Sequence, residues 1–216
     1  MKNYLVVDNW YNDTEYSGIF KELEFFSSIN SIKSEDSVGT ARKDGKYLSK
    51  SCRFFPQNHY SNLGIDKSPM FSALKKMQTP EFHQKVHDTF RDTNTAISDV
   101  FVETNATSTI VNYYENNDYY NEHYDVFQFT VLIWLYKQPK SFTGGDLVFT
   151  KLNETVECKN NRLVLFPSFY YHAVNPVVMT TDKNGYGRYA ITHFYYKTEA
   201  NPYVWVERLF KSYQWN

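Results

Sequence analysis

Apolar residues recur along this chain at two spacings, and the change from one to the other falls near Asn105. Before it, Ile19, Phe20, Leu23 and Phe26 lie at the three-to-four-residue spacing of one helix face, with Thr14 placed to cap it. Thr79-Pro80 joins a capping hydroxyl to a proline in the first turn, which starts a helix. Phe82, Val86, Phe90, Ile97, Val100 and Phe101 then run as one apolar stripe and predict a single long helix ending near Asn105. Tyr4 to Val7 and Cys52 to Phe55 read as short strands. The polar stretch from Ser27 to Lys50, punctuated by Gly39 and Gly45, reads as loop plus weak hairpin.

After Asn105 the spacing shortens to that of strands. Thr109–Tyr114, Val126–Tyr136, Leu147–Thr150, Thr155–Cys158, Arg162–Phe166, Tyr171–Val174 and Arg188–Tyr196 are the expected strands, most of them separated by Gly, Pro or Asn turns. Many short strands at this spacing predict a β-sandwich or jelly roll rather than a parallel sheet. Val204, Trp205, Leu209, Phe210 and Tyr213 fit a terminal helix. The expectation is one domain, 1–216: a helix and strand scaffold over 1–105, a jelly-roll core over 106–198 and a helix over 199–216.

Composition adds little to this and excludes some functions. Aromatic residues make up 19% of the 216, with 19 Tyr and 17 Phe, which favours half-buried strands. Net charge is −1, from 23 basic and 24 acidic residues with neither sign concentrated in one half, so no nucleic acid or anionic membrane is expected as partner. No signal peptide and no run of spanning length is read, which makes a cytoplasmic location the expectation. Cys52 and Cys158 lack metal-type spacing; a disulfide between them is open, a reduced pair the expectation.

The candidate chemistry sits in the strand-rich half. His123-Tyr124-Asp125 places an imidazole and a carboxylate at i and i+2, which point the same way in a strand. With His172 from a distant strand they form two histidines and one carboxylate, the facial set of non-haem Fe(II) oxygenases. Gly144-Gly145-Asp146-Leu147 forms a tight turn into a strand, and Arg188-Tyr189-Ala190-Ile191-Thr192 puts Arg188, Ala190 and Thr192 on one face. A 2-oxo acid that fills two open metal positions needs a cation for its far carboxylate, and a guanidinium grips a carboxylate through two hydrogen bonds. Arg188 supplies that cation, with the Thr192 hydroxyl beside it. Tyr114 offers a phenol to the same co-substrate, with Tyr113 competing for the role.

Other candidates are weaker. His83 and His87 share a helix face, but Gln84 stands where a metalloprotease needs Glu, so a solvated face is the reading. His193 should point away from the site, and His59 lies in a loop. The sequons at Asn12, Asn105 and Asn153 carry no meaning without a secretory context.

The order His-x-Asp, Gly-Gly-Asp-Leu, Leu-Phe-Pro-Ser followed by His, then Arg-Tyr-Ala-Ile-Thr resembles the 2-oxoglutarate- and Fe(II)-dependent dioxygenases, and within them the prolyl 4-hydroxylase branch, over about Thr109 to Lys197. The resemblance implies an α+β, mainly β fold: a double-stranded β-helix of the jelly-roll, cupin-like kind with supporting N-terminal helices. It implies His123, Asp125 and His172 as iron ligands, Arg188 on the distal carboxylate of 2-oxoglutarate, Tyr114 and Thr192 assisting it, and Tyr120 facing the substrate. The cofactors it implies are Fe(2+), 2-oxoglutarate and O2, with L-ascorbate left open. The implied reaction hydroxylates an unactivated C–H bond, first of all a prolyl residue in a peptide or protein, with succinate and CO2 as co-products. An oxygenase acting on a free amino acid or small metabolite, and a non-catalytic metal-binding jelly roll, are the alternatives. Asp125 disfavours a halogenase, which gives up that carboxylate. Two departures stand out. The segment Thr180–Gly187 lengthens the gap from His172 to Arg188, and is expected to form a longer hairpin. Trp134 stands where the hydroxylases of hypoxia-inducible factor carry Tyr. The resemblance implies a mobile substrate loop over Gly39 to Asn62, with ordinary packing of its Tyr47, Phe54, Phe55 and Tyr60 as the equal alternative.

Overall fold

The computed structural model describes residues 2–30, 32–33, 40–60, 67–92 and 95–198. In chain order its strands are β1 (Leu5–Val7), β2 (Ile32–Lys33), β3 (Arg42–Lys43), β4 (Lys46–Tyr47), β5 (Ser49–Lys50), β6 (Cys52–Phe54), β7 (Ala106–Tyr114) and β8 (Tyr119–His123). They continue as β9 (Phe129–Leu135), β10 (Phe142–Gly144), β11 (Leu147–Phe149), β12 (Glu154–Val156), β13 (Arg162–Pro167), β14 (His172–Val174), β15 (Val177–Met179) and β16 (Arg188–Tyr196). The helices are α1 (Asp13–Asn30), α2 (Pro69–Leu74), α3 (Pro80–Phe90) and α4 (Thr95–Val102).

A larger sheet runs β1-β13-β9-β16-β7-β6-β2 and a smaller one β12-β11-β14-β8-β5. All of their pairings are antiparallel, the arrangement of a double-stranded β-helix. Strand alternation gives the larger sheet two faces. One carries Val111, Tyr113, Ile133, Leu165, Tyr189 and Ile191, packed against Ile19, Leu23, Met70, Val86 and Phe101 of the helices. The other carries Tyr114, Leu132, Trp134, Val164, Phe166 and Ala190, packed toward Leu147, Phe149, Val156 and Val174 of the smaller sheet. Each fully buried large apolar side chain contributes about 1.5–3 kcal/mol, so both layers are held strongly, and the polar site is set in the second.

Several local expectations need correction. α1 is capped by Asn12, not Thr14: the Asn12 carboxamide accepts from the Glu15 N–H (2.9 Å) and the Glu15 carboxylate from the Asn12 N–H (3.0 Å). The predicted long helix is two helices. Arg91 to Asn94 are all polar, the apolar stripe skips them, and the Arg91 N–H closes α3 on the His87 carbonyl. The Val126 strand begins at Phe129. Thr180–Gly187 is no hairpin, because β15 pairs with β10 while β16 pairs with β7 and β9, so the segment crosses between sheets. His193 does point away from the site, yet it is buried, and its Nδ1 lies 2.8 Å from the Thr109 hydroxyl. Both cysteines are free. The predicted 199–216 helix lies outside the described residues. The predicted weak hairpin is β3–β4, turned by Asp44 and Gly45, both at positive φ. Among the described residues no helix is long and apolar enough to cross a membrane.

Two stability predictions follow from this packing. A Cβ at Gly187 would lie 2.2 Å from the Tyr114 carbonyl oxygen, whereas one at Gly45 meets nothing. Gly187→Ala should therefore cost about 1–3 kcal/mol in urea unfolding, and Gly45→Ala about 1 kcal/mol from its positive φ alone; equal costs would contradict the close approach. Burial pushes His193 down to about 4 from an ordinary value of 6.5. Below pH 6.5 the unfolded chain takes up a proton that the folded one refuses, so stability present above that pH is lost as pH falls toward 4. Thermal melts of His193→Asn across this window should be flatter than wild type; parallel curves would remove His193 as the cause.

Candidate metal centre

Two adjacent strands of the smaller sheet bring the histidines together. His123 ends β8 and His172 begins β14, and the two are direct cross-strand partners. Each donates its Nδ1–H to the carbonyl two residues earlier, His123 to Asn121 and His172 to Tyr170, both at 2.8 Å. The other nitrogen, Nε2, is thereby left with its lone pair toward the shared space. His123 Nε2 lies 3.8 Å from one Asp125 carboxylate oxygen and His172 Nε2 3.6 Å from the other. The three ligand atoms fall within 4.8 Å of one another. Burial, reinforced by neighbouring His172, pushes His123 down to about 3, so the imidazole is the neutral form that a metal binds.

Asp125 does not lie in a strand with His123, so alternation alone does not aim it. Its N–H donates to the Ser168 carbonyl (2.9 Å), and the Thr130 hydroxyl donates to its carboxylate (2.6 Å). Thr130 and Ser168 hydroxyls are 2.8 Å apart, which completes a relay Ser168→Thr130→Asp125. Neither residue was singled out from sequence. Thr130 carried a signal: it shares a face with Leu132 and Trp134 and is the polar member of an otherwise apolar strand. Phe166 packs edge-on against His172 (5.0 Å) and Phe149 against Phe166 (5.0 Å), which keeps bulk water from that side.

Arg188 is fully buried at the start of β16 and faces the same layer. Its guanidinium stands over the rings of Tyr114 (4.7 Å) and Trp134 (5.4 Å). Its approach to the Tyr114 hydroxyl and the Cys158 thiol falls short of a hydrogen bond, and Nε, Nη1 and Nη2 all lack a partner among the described residues. Trp134 Nε1 is orphaned in the same way. A buried charge with unfilled donors costs several kcal/mol. A carboxylate against these four N–H-bearing nitrogens would remove that cost, so the residues present fit an anionic co-substrate. Gly145 is part of this fit, because a Cβ there would lie 3.0 Å from the Arg188 Cδ.

The remaining candidates divide by face. Tyr114 is the direct partner of Arg188 and points into the site, whereas Tyr113 lies on the helix face and accepts from the Gly187 N–H. Thr192 is buried on the Arg188 face, two residues beyond Ala190. Tyr120 stacks on His123 with ring centroids 3.6 Å apart, and its hydroxyl accepts from the Ala41 N–H at 3.3 Å. His83 packs edge-on against Phe101 and His87 lies beside Asp88. Among the described residues, His123, Asp125 and His172 form the one group able to hold a metal ion.

Residues 109–196 match the family model of the 2OG-Fe(II) oxygenase superfamily, for which the cofactors are Fe(II), 2-oxoglutarate and dioxygen. In shape the chain is similar to a prolyl-4-hydroxylase of Pseudomonas putida, at 13% identity and a TM-score of 0.62 over 92% of this chain and 95% of that one. It is also similar to a prolyl hydroxylase from Trichoplax adhaerens in complex with a hypoxia-inducible-factor peptide fragment, at 16% identity and 0.57 over 91% and 84%. A third similar structure is an oxidoreductase of the 2OG-Fe(II) oxygenase family from Burkholderia pseudomallei, at 12% and 0.54 over 91% and 86%. No curated protein matches the chain by sequence. The double-stranded β-helix fold and the resemblance to the oxygenase family both stand on these comparisons.

The relay to Asp125 makes a prediction. Thr130→Val removes the hydroxyl that orients the carboxylate and should weaken divalent-metal binding by about 10- to 100-fold in a calorimetric titration, with the fold intact by circular dichroism. Unchanged affinity would mean that the Ser168 carbonyl holds Asp125 without the relay.

Proposed function

We propose, on the premise that residues 109–196 carry the core of a 2OG-Fe(II) oxygenase, that the protein hydroxylates an unactivated C–H bond of a prolyl residue in a peptide or protein. The observation that carries this reading is the buried Arg188 guanidinium with its three unpartnered nitrogens, set in the same layer as a two-histidine, one-carboxylate group. A purely structural metal module has no use for such a cation.

In this reading His123, Asp125 and His172 would hold Fe(II), and Arg188 with Trp134 Nε1 would hold the distal carboxylate of 2-oxoglutarate, assisted by Tyr114 and Thr192. When bound, the metal and 2-oxo acid supply activation of dioxygen, with succinate and CO2 as co-products of the hydroxylation. The chain's own part is positional. Carbonyl-tethered imidazoles present Nε2 without reorganisation, the Thr130 relay fixes Asp125, and Phe149 and Phe166 exclude water. Trp134 replaces a phenol by an indole N–H, which can donate but not accept, and so suits an anion. The prolyl assignment is supported by the likeness in fold to two prolyl hydroxylases; the Trichoplax protein's bound peptide is the model for a peptide substrate here.

An anaerobic titration with Fe(II) and 2-oxoglutarate tests the site. Wild type should develop the weak visible metal-to-ligand band, His172→Ala should lose it, and Arg188→Ala should need about 10- to 100-fold more 2-oxoglutarate. Proline-containing peptides should then raise succinate release and gain one oxygen by mass. A folded wild type without the band would sink the oxygenase reading; a band without any prolyl product would sink only the substrate.

A further inference from the structure

Among the described residues three arginines are buried on the site face of the larger sheet or at its edge, Arg53, Arg162 and Arg188. Arg162 is neutralised by Asp8, with N–O distances of 2.5 and 2.9 Å. Arg188 awaits the co-substrate. Arg53, on β6, has neither explanation. It is 3% exposed, its Nε donates to the Asn112 carboxamide oxygen (2.9 Å) and its Nη1 to the Thr40 hydroxyl (2.9 Å). Both partners are neutral. Among the described residues no carboxylate pairs with Arg53, and its Nη2 makes no hydrogen bond.

Arg53 is also close to the metal group. Arg53 is the direct partner of Asn112, Asn112 of Ala190 and Ala190 of Trp134, so one row of the sheet runs from Arg53 to the co-substrate wall. On the other side Thr40 adjoins Ala41, whose N–H reaches the Tyr120 hydroxyl, and Tyr120 lies flat on His123. In the loaded site the divalent metal, Asp125, the two carboxylates of 2-oxoglutarate and Arg188 cancel one another. Arg53 is then a buried positive charge without a counter-ion among the described residues, which the site can hold cheaply only if another anion enters.

We propose that Arg53 is a second anion anchor and that the substrate carries a carboxylate which reaches it. This rests on the oxygenase reading above and narrows its substrate. The carboxylate comes either from the α-carboxylate of an amino acid or chain end, or from an acidic side chain beside the target residue. Asn112, whose carboxamide oxygen accepts from Arg53 Nε, holds the guanidinium in place.

The test uses the full chain loaded with Mn(II), a redox-silent stand-in for Fe(II), and 2-oxoglutarate, with binding read by calorimetry. N-acetyl-proline is compared with N-acetyl-prolinamide, N-acetyl-glutamyl-prolinamide with its glutaminyl counterpart, and N-acetyl-glycine with N-acetyl-glycinamide. At least one acid should bind about tenfold or more tightly than its neutral twin. Arg53→Gln should erase that preference and Arg53→Lys retain part of it, with 2-oxoglutarate affinity unchanged in both. The first pair passing identifies the α-carboxylate, the second the side chain. If the glycine pair passes and the proline pairs fail, Arg53 keeps its role and the prolyl assignment falls. The proposal is overturned if no acid outbinds its amide in wild type, a comparison that needs no variant. It is equally overturned if the preference survives Arg53→Gln, or if Arg53→Gln weakens 2-oxoglutarate instead. Failure of Mn(II) and 2-oxoglutarate to load would remove the oxygenase reading, and acid-over-amide binding to the metal-free protein would then decide on Arg53 alone.

Discussion

Strand β16 is paired along its length on both sides, with β7 and with β9, and its two-residue alternation divides the molecule. Tyr189, Ile191, His193 and Tyr195 enter the layer beneath the helices, while Arg188, Ala190, Thr192 and Phe194 face the metal layer. A slip of one residue would send Arg188 into the aromatic helix contact and Tyr189 into the co-substrate wall. The register is secured from several directions at once. Tyr189 packs on Tyr113 and Phe20 and bonds to Ser27, while Gly187 admits the Tyr114 carbonyl without a side chain in its way. The position of one guanidinium thus depends on packing in the layer it does not enter.

The metal layer is unusual in the amount of unmet polarity it keeps dry. Arg188 and Trp134 are buried donors without acceptors, and His123 is held neutral by the same desolvation. In an ordinary core each would count against the fold. Here they share one layer, and in the proposed site each would meet a ligand of opposite need: the lone pair on Nε2 a cation, the guanidinium and indole N–H an anion. Binding of such a cation and anion should therefore stabilise the chain, since each would meet a polar need that the protein's own groups leave open.

Much of this was legible in the sequence, and the misses have physical causes. Thr79-Pro80 starts a helix and Arg188-x-Ala-x-Thr lies on one strand face, because local chemistry and alternation decide both. That His172 comes from a distant strand was read, but its direct pairing with His123 is a long-range choice. The register question between Tyr113 and Tyr114 was not open to alternation alone; the pairing with Arg188 settles it. The break between α3 and α4 hid behind an apolar stripe that resumes in phase on the far side. Asp125 was placed by strand logic, but tertiary hydrogen bonds from Thr130 and to Ser168 hold it. Thr180–Gly187 was expected to form a longer hairpin, yet β15 before it pairs with β10 and β16 after it with β7 and β9, a choice made by sheet closure and invisible to local pattern. Arg53 drew no notice, although an arginine between Cys52 and Phe54-Phe55 in a strand is itself a sign of a buried polar contact.

Tyr120 connects the candidate metal group to the segment around Ala41. Its ring lies on His123, and its hydroxyl oxygen is taken by the Ala41 N–H, beside the Thr40 that holds Arg53. Burial raises this phenol to about 12, so it stays protonated at any working pH and keeps an O–H to donate while its oxygen accepts. Losing the Ala41 N–H would leave that oxygen without its donor in a buried setting and remove one restraint on the ring that stacks on His123. The Ala41 backbone, the Tyr120 ring and the imidazole of a proposed metal ligand are in this way joined in one chain of contacts.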